Sequence, residues 1–151
     1  MIKIICVGKI KEKYLVAAID EYKKRLSKYT KLELIEVNDI DNPNIDIVLN
    51  KEKELIEKHI DSKDYIITLE IDGNMLNSVE FAKKMDSIFN TNSTITFIIG
   101  GSYGIHNDIK KLSNYKLSFS KLTFPHQLFR VNLLEQIYRA YKINNNEAYH
   151  K

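Results

Sequence analysis

Residues 94–151 constrain this chain more than any other part of it: TITFIIGGSYGIHNDIKKLSNYKLSFSKLTFPHQLFRVNLLEQIYRAYKINNNEAYHK. Thr94 to Ile99 is β-branched and aromatic, the composition of a buried strand. It breaks at Gly100-Gly101 and again at Gly104. Glycines at the carboxyl end of a strand permit bends closed to other residues and let a ligand approach the main chain. A second short strand is expected over Tyr115 to Phe119. It runs into Ser120-Lys121-Leu122-Thr123-Phe124, and Pro125 then opens a long helix from its first position. Two strand ends therefore present neighbouring loops. In open parallel sheets the ligand crevice lies outside the carboxyl ends of the strands. A small-ligand pocket built mostly of backbone, between Gly100 and Phe119 to Phe124, is the expectation.

Charge adds to this. The net charge is +3, but residues 1–109 hold 15 Lys and Arg against 18 Asp and Glu. Residues 110–151 hold 8 basic residues against only Glu135 and Glu147. The basic third is the one with the ligand loops, which suits a polyanionic substrate, although a solvated basic face reads the same way. At 151 residues and 44% hydrophobic, a single domain spanning residues 1–151 is expected. No run approaches the ~20 apolar residues of a membrane span. The opening MIKIICVGK is charged too soon for a signal peptide, so a cytoplasmic protein with no membrane partner is expected. Cys6 is the only cysteine and lies in an apolar strand, where a buried structural thiol is expected.

Before residue 94 the pattern is strand (Ile2–Val7), amphipathic helix (Lys11–Tyr29), half-exposed strand (Leu32–Val37), helix (Ile45–Ile60) and strand (Tyr65–Ile71). Asp72-Gly73-Asn74 then signals a turn. Asn77 and Glu80 have the spacing of a capping box, opening a helix over 78–89. Strands at 94–99 and 115–119 alternate with helices at 106–113 and 125–143. This order predicts an α/β fold with a mostly parallel sheet and helices on both faces. The last helix is apolar on two sides, from Leu128 through Ile143. One side covers the sheet, and the other predicts a homodimer contact.

IGGSYG at 99–104, LSFSKLTFPHQLFRV at 117–131, LLEQIYRAYKI at 133–143 and the terminal YHK closely resemble the RlmH family. The likeness extends to the opening IKIICVGKIKEKY and spans the whole chain. These are SPOUT-superfamily methyltransferases acting on a pseudouridine of 23S ribosomal RNA. The resemblance implies a SPOUT-type fold with a C-terminal trefoil knot and a homodimer. It implies methylation of pseudouridine N3 in the assembled ribosome, with S-adenosylmethionine as cofactor and no metal. Carried over, the cofactor site is Leu69, Gly100, Phe119, Ser120, Lys121, Leu122, Thr123 and Phe124. In the family the terminal Tyr-His belongs to the active site. His150 becomes the candidate proton acceptor, Tyr149 a stacking partner for the base and Lys151 a phosphate contact. Arg130, one turn into the last helix, is a candidate for phosphate or the cofactor carboxylate, or a surface ion pair. Relatives often carry Gly and Pro where this chain has Asn146 and Ala148.

Two other readings stay open on the residues alone. Gly100-Gly101-Ser102-Tyr103-Gly104 fits G-x-S-x-G, so a hydrolase with Ser102, Glu135 and His150 as its triad can be written. Against it, Glu135 has Arg139 four residues on, and His150 is a poorly held base. A ribosome-binding factor without catalysis would share the basic surface and need no cofactor.

Overall fold

The computed structural model describes residues 1–151. Five strands form one parallel sheet: β1 (Ile2–Val7), β2 (Leu32–Val37), β3 (Tyr65–Met75), β4 (Ile95–Ile99) and β5 (Tyr115–Ser118). Their spatial order is β2-β1-β4-β3-β5. Five helices alternate with them: α1 (Lys13–Leu26), α2 (Ile45–Glu57), α3 (Ser78–Phe89), α4 (Asn107–Leu112) and α5 (His126–Asn144). Alternation along β1 sends Ile2, Ile4 and Cys6 into the larger core with α1, α3 and α5. Ile5 and Val7 point the other way, onto α2 and α4. The expected parallel α/β sheet with helices on both faces is the fold observed. Burial raises the Cys6 thiol pKa to about 12, consistent with a structural role.

The Asn77–Glu80 capping box forms, with each side chain meeting the other's main-chain N–H. One expectation fails at Asp72-Gly73-Asn74. These residues do not end β3. The strand continues to Met75 through an irregularity between Leu69 and Asn74 and re-pairs with β5. A Cβ at Gly73 would stand 2.9 Å from the Lys116 and Leu117 backbones, so glycine is there for close approach rather than for a turn. The helix from Pro125 starts one residue later than expected, with Pro125 as its N-cap.

α5 is anchored by a cation in the interior. Arg130 is fully buried. Its guanidinium donates to Glu36 Oε2 and to the main-chain oxygens of Val7 and Gly8, all at 2.8 Å. Val7 and Gly8 end β1, and Glu36 stands near the end of β2. Glu36 also accepts from the Ile10 N–H at 2.9 Å, so it ties the chain beyond β1 to the same point. The side chain is therefore neither a surface ion pair nor open to phosphate or a cofactor carboxylate. Periodicity correctly marks position 130 as close to the loop but cannot show that the strand ends offer it three acceptors.

Truncating one partner of a buried, hydrogen-bonded ion pair costs about 3–5 kcal/mol. Arg130→Ala should lose stability on that scale in urea unfolding, because two main-chain oxygens lose their donor. An unchanged midpoint would show that α5 is held without it.

Candidate functional site

The main cleft opens at the carboxyl ends of β3, β4 and β5. It contains about 610 Å³ of space, part of it open to solvent. Leu69, Ile99, Leu117 and Phe129 form its apolar floor, with Phe119, Leu122 and Phe124 on the loop that rims it. Gly100, Ser120 and Thr123 line it too, so seven of the eight residues expected around a ligand meet here. Lys121 is the exception. It belongs to the rim loop, but it is not part of the cleft wall.

The loop's main chain is more informative than its side chains. The N–H groups of Phe119, Ser120, Lys121, Thr123 and Phe124 have no hydrogen-bond partner within the chain. Only Leu122 N–H is satisfied, by Ser120 Oγ at 3.0 Å. Ser118 Oγ donates to Ile71 O and Ser120 O, tying the loop's start to β3. An apolar slot edged by free main-chain donors fits a flat heteroaromatic group with ring nitrogens as acceptors.

The opposite wall is the glycine loop. Gly101 and Gly104 pair with each other across it. A Cβ at Gly100 would stand 2.5 Å from Gly104 O, far inside contact distance, and Gly104 has φ +80°. The loop is folded tightly at Gly100, which admits no side chain without movement, while at Gly104 space is open and it is the left-handed φ that favours glycine. His126 lines the cleft beside this loop. Burial first, then Arg130, holds its pKa below the ordinary value, so neutral imidazole is favoured.

The tail folds elsewhere. Asn146 N–H donates to Ile143 O, and Glu147 N–H to Lys142 O, closing α5 in the six-to-one and five-to-two pattern of a Schellman end. Asn146 takes φ 55°, the left-handed conformation that glycine holds freely and asparagine tolerates. Asn146 thus supports the turn that a glycine would otherwise serve. Tyr149 then packs edge-on to Tyr138 and donates to Glu135 Oε1 at 3.1 Å. His150 Nδ1 lies 3.1 Å from Arg139 Nη1. Lys151 is exposed. Arg139 is 13 residues beyond His126, about 20 Å along α5 at 1.5 Å per residue. Within one chain, the expected active-site tail and the expected cofactor cleft are not brought together.

The hydrolase triad fails by the same geometry. Glu135 is held by Arg139 and Tyr149, and His150 by Arg139, midway along α5. Ser102 is on the glycine loop at the far end of the sheet's crevice and meets neither.

A family model described as "Predicted SPOUT methyltransferase" matches residues 1–150. The chain belongs to the SPOUT methyltransferases. Within that family it groups with RlmH. It is 54% identical to the ribosomal RNA large subunit methyltransferase H of Clostridium botulinum strain Langeland, over 99% of both chains. The protein of the same name from strain 657 is 53% identical, again over 99% of both. Among solved structures, the fold matches a probable methylase family protein from Haemophilus influenzae Rd KW20. The TM-score is 0.59 at 15% identity, covering 99% of this chain and 70% of that one. It also matches the tRNA (m1G37) methyltransferase of Aquifex aeolicus, with TM-score 0.50 at 14% identity, over 91% and 69%. At those identities the likeness is one of fold.

The tail is pinned through Glu147, which accepts from Tyr29 Oη at 2.9 Å and Lys142 Nζ at 2.8 Å. Lys142 first, then Tyr29, holds the Glu147 carboxyl below its ordinary 4.5. A depressed folded pKa means the contact is fully present above that value and lost as pH falls through the lower folded one. NMR of the tail amides should show residues 145–150 released on acidification before the sheet unfolds. Tail and sheet melting together would contradict this.

Proposed function

We propose that this protein transfers the methyl group of S-adenosylmethionine to N3 of a pseudouridine in 23S rRNA of the assembled ribosome. It does so as a cytoplasmic homodimer of one 1–151 domain. The observation that carries the reading is the cleft: a slot of Leu69, Leu122 and Phe124 edged by unpartnered main-chain N–H groups, in a chain full-length similar to large-subunit rRNA methyltransferases. No cluster of metal-ligating side chains occurs in the chain, and this chemistry asks for none.

Bound in the cleft, S-adenosylmethionine supplies a methyl carbon activated by its own sulfonium. Leu69, Leu122 and Phe124 would hold the adenine face, and the unpartnered N–H groups of Phe119, Ser120, Lys121, Thr123 and Phe124 would be the available donors to its ring nitrogens. Gly100 lets the ligand lie against main chain. The protein's main contribution is to keep acceptor and methyl in line, which demands a rigid wall on each side. The glycine loop and the loop tied to β3 by Ser118 supply those walls. We place the C-terminal trefoil knot here as well. α5 returns from edge strand β5 to seat Arg130 on the end of β1, which carries the rim loop across the strand ends. A threaded path fixes that loop at both ends.

N3 of pseudouridine must lose its proton as the N–CH₃ bond forms and the S–CH₃ bond breaks. His150 is the acceptor, Tyr149 stacks the base and Lys151 meets phosphate. In its own chain that tail is about 20 Å from the cleft along α5, so the second copy supplies it. Leu122, on the rim loop, is 73% exposed and Leu128, in the first turn of α5, is 41% exposed, and they offer apolar surface for that copy to cover.

Ribosomes lacking the modification, purified protein and methyl-labelled cofactor test the reading. Nucleoside mass spectrometry should find label on N3 of a single pseudouridine of 23S rRNA, with naked stem-loops poor substrates. No label despite cofactor binding would mean another acceptor. No cofactor binding would overturn the reading.

A further inference from the structure

A second, smaller cavity adjoins the cleft on the far side of the glycine loop. Gly101 and His126 line both spaces, so the two meet at these residues. Glu52, from α2, reaches into the smaller cavity beneath Gly101. Its carboxylate oxygens lie 3.3 and 3.5 Å from where a Gly101 Cβ would stand. The residue is 5% exposed. It forms no ion pair with any lysine, arginine or histidine, and its only hydrogen bond is a long one from Ile40 N–H at 3.5 Å.

A buried carboxylate so poorly paired is costly, and such groups are normally matched by a cation or by several donors. Here the surroundings make matters worse. Asp39 lines the same cavity and is also without an ion-pair partner. Burial first, opposed by Ile40 N–H and aided by Asp39, raises the Glu52 pKa. His126, the one ionisable nitrogen in the cavity wall, is held toward its neutral form by burial and by Arg130. The cavity wall therefore carries two carboxylates, buried Glu52 and exposed Asp39, and no cation. By contrast, the acid in the main cleft, Glu70, is already engaged by Thr68 Oγ1 at 2.7 Å and Lys110 at 3.6 Å.

We propose that Glu52 is a cofactor-binding residue, its carboxylate receiving the α-ammonium group at the amino-acid end of S-adenosylmethionine as that end passes Gly101 and His126. This rests on the reading of the main cleft given above. The apolar slot accounts for the adenine end of such a ligand, and the cavity beyond Gly101 has the complementary charge for the other end. It also gives Gly101 a reason. A side chain there would meet Val7 Cγ1 at 3.0 Å and stand 3.3 and 3.5 Å from the Glu52 carboxylate oxygens, crowding the place where the two spaces meet. Recognition at Glu52 distinguishes the intact cofactor from adenosine compounds that lack the amino-acid part.

The test is calorimetric titration of wild type and Glu52→Gln with S-adenosylmethionine and with 5′-methylthioadenosine, which keeps the S-methyl group and lacks the amino-acid arm. A charge-assisted hydrogen bond to a buried carboxylate contributes enough that its loss should weaken S-adenosylmethionine by about 10- to 100-fold. Binding of 5′-methylthioadenosine should be the same in both proteins, which also reports that the variant is folded. Should Glu52→Gln not fold, wild type alone decides. A deaminated analogue of S-adenosylmethionine should bind wild type more weakly by a similar factor, and the decarboxylated compound should not. Equal affinity of both proteins for S-adenosylmethionine, or equal losses for both ligands, overturns the assignment. So does unchanged cofactor binding with slowed methyl transfer, which would give Glu52 to the acceptor base instead. Wild type that binds 5′-methylthioadenosine but not S-adenosylmethionine overturns the ammonium site alone. Wild type that binds neither overturns the cofactor reading with it.

Discussion

The fold turns on one buried cation. Arg130 takes its guanidinium into the interior, where taking a charge out of water costs several kcal/mol. What offsets that cost is a set of three acceptors that exist only once β1 and β2 are paired: Val7 O, Gly8 O and Glu36. The contact is conditional on the sheet, and the start of α5 is conditional on the contact. Even so, Arg130 Nε is left without a partner, so the arrangement is not the most stable one available at that position. It does fix where α5 begins. With Ser118 tied to β3 at one end and Arg130 to β1 at the other, the loop between them has little freedom.

That restraint explains how a loop with five unpartnered N–H groups can persist. Unsatisfied main-chain donors usually draw a loop into local turns or toward water. Here both ends are pinned, and the phenyl rings of Phe119 and Phe124 pack on Phe129 of α5, with centroids 4.8 and 6.0 Å apart. The loop's main chain is thereby held in place. A ligand that satisfies its donors meets a surface already in shape, which reduces the ordering cost of binding. The other end of α5 serves a separate purpose. Glu135, Arg139 and Glu147 hold Tyr149, His150 and the tail turn through exposed or half-exposed contacts, which are weaker and more easily exchanged.

Much of this was legible in the residues. Continuous apolar, β-branched runs located β1 and β4, the order of strands and helices located the sheet class, and the Asn77–Glu80 spacing located the start of α3. The cleft was legible from the glycines at 100–104 and from the rim loop, because both follow strands at their carboxyl ends. Gly73 was misread because a glycine between Asp and Asn signals a turn locally. Its reason is the β5 backbone at Lys116 and Leu117, 43 and 44 residues away, which leaves no local trace. Arg130 was misread for a similar reason. A single arginine on an apolar helix is ordinarily solvated, and its acceptors come from residues 7, 8 and 36. Glu52 passed unnoticed within the charged run Lys51 to Glu54, where only the fold distinguishes the one residue that points inward.

The separation of cleft and tail along α5 is the feature from which the dimeric reading follows. Two variants isolate it. Gly100→Val fills the space against Gly104 O and disables the cleft, while His150→Ala disables the tail. Mixed dimers carrying one lesion per copy, purified on different tags, would be assayed for methyl transfer to ribosomes. If the tail acts on the neighbouring cleft, one of the two sites is intact, and activity should return to roughly half that of the wild-type dimer. A silent mixed dimer, or a His150→Ala homodimer with full activity, would contradict a site completed by the second copy.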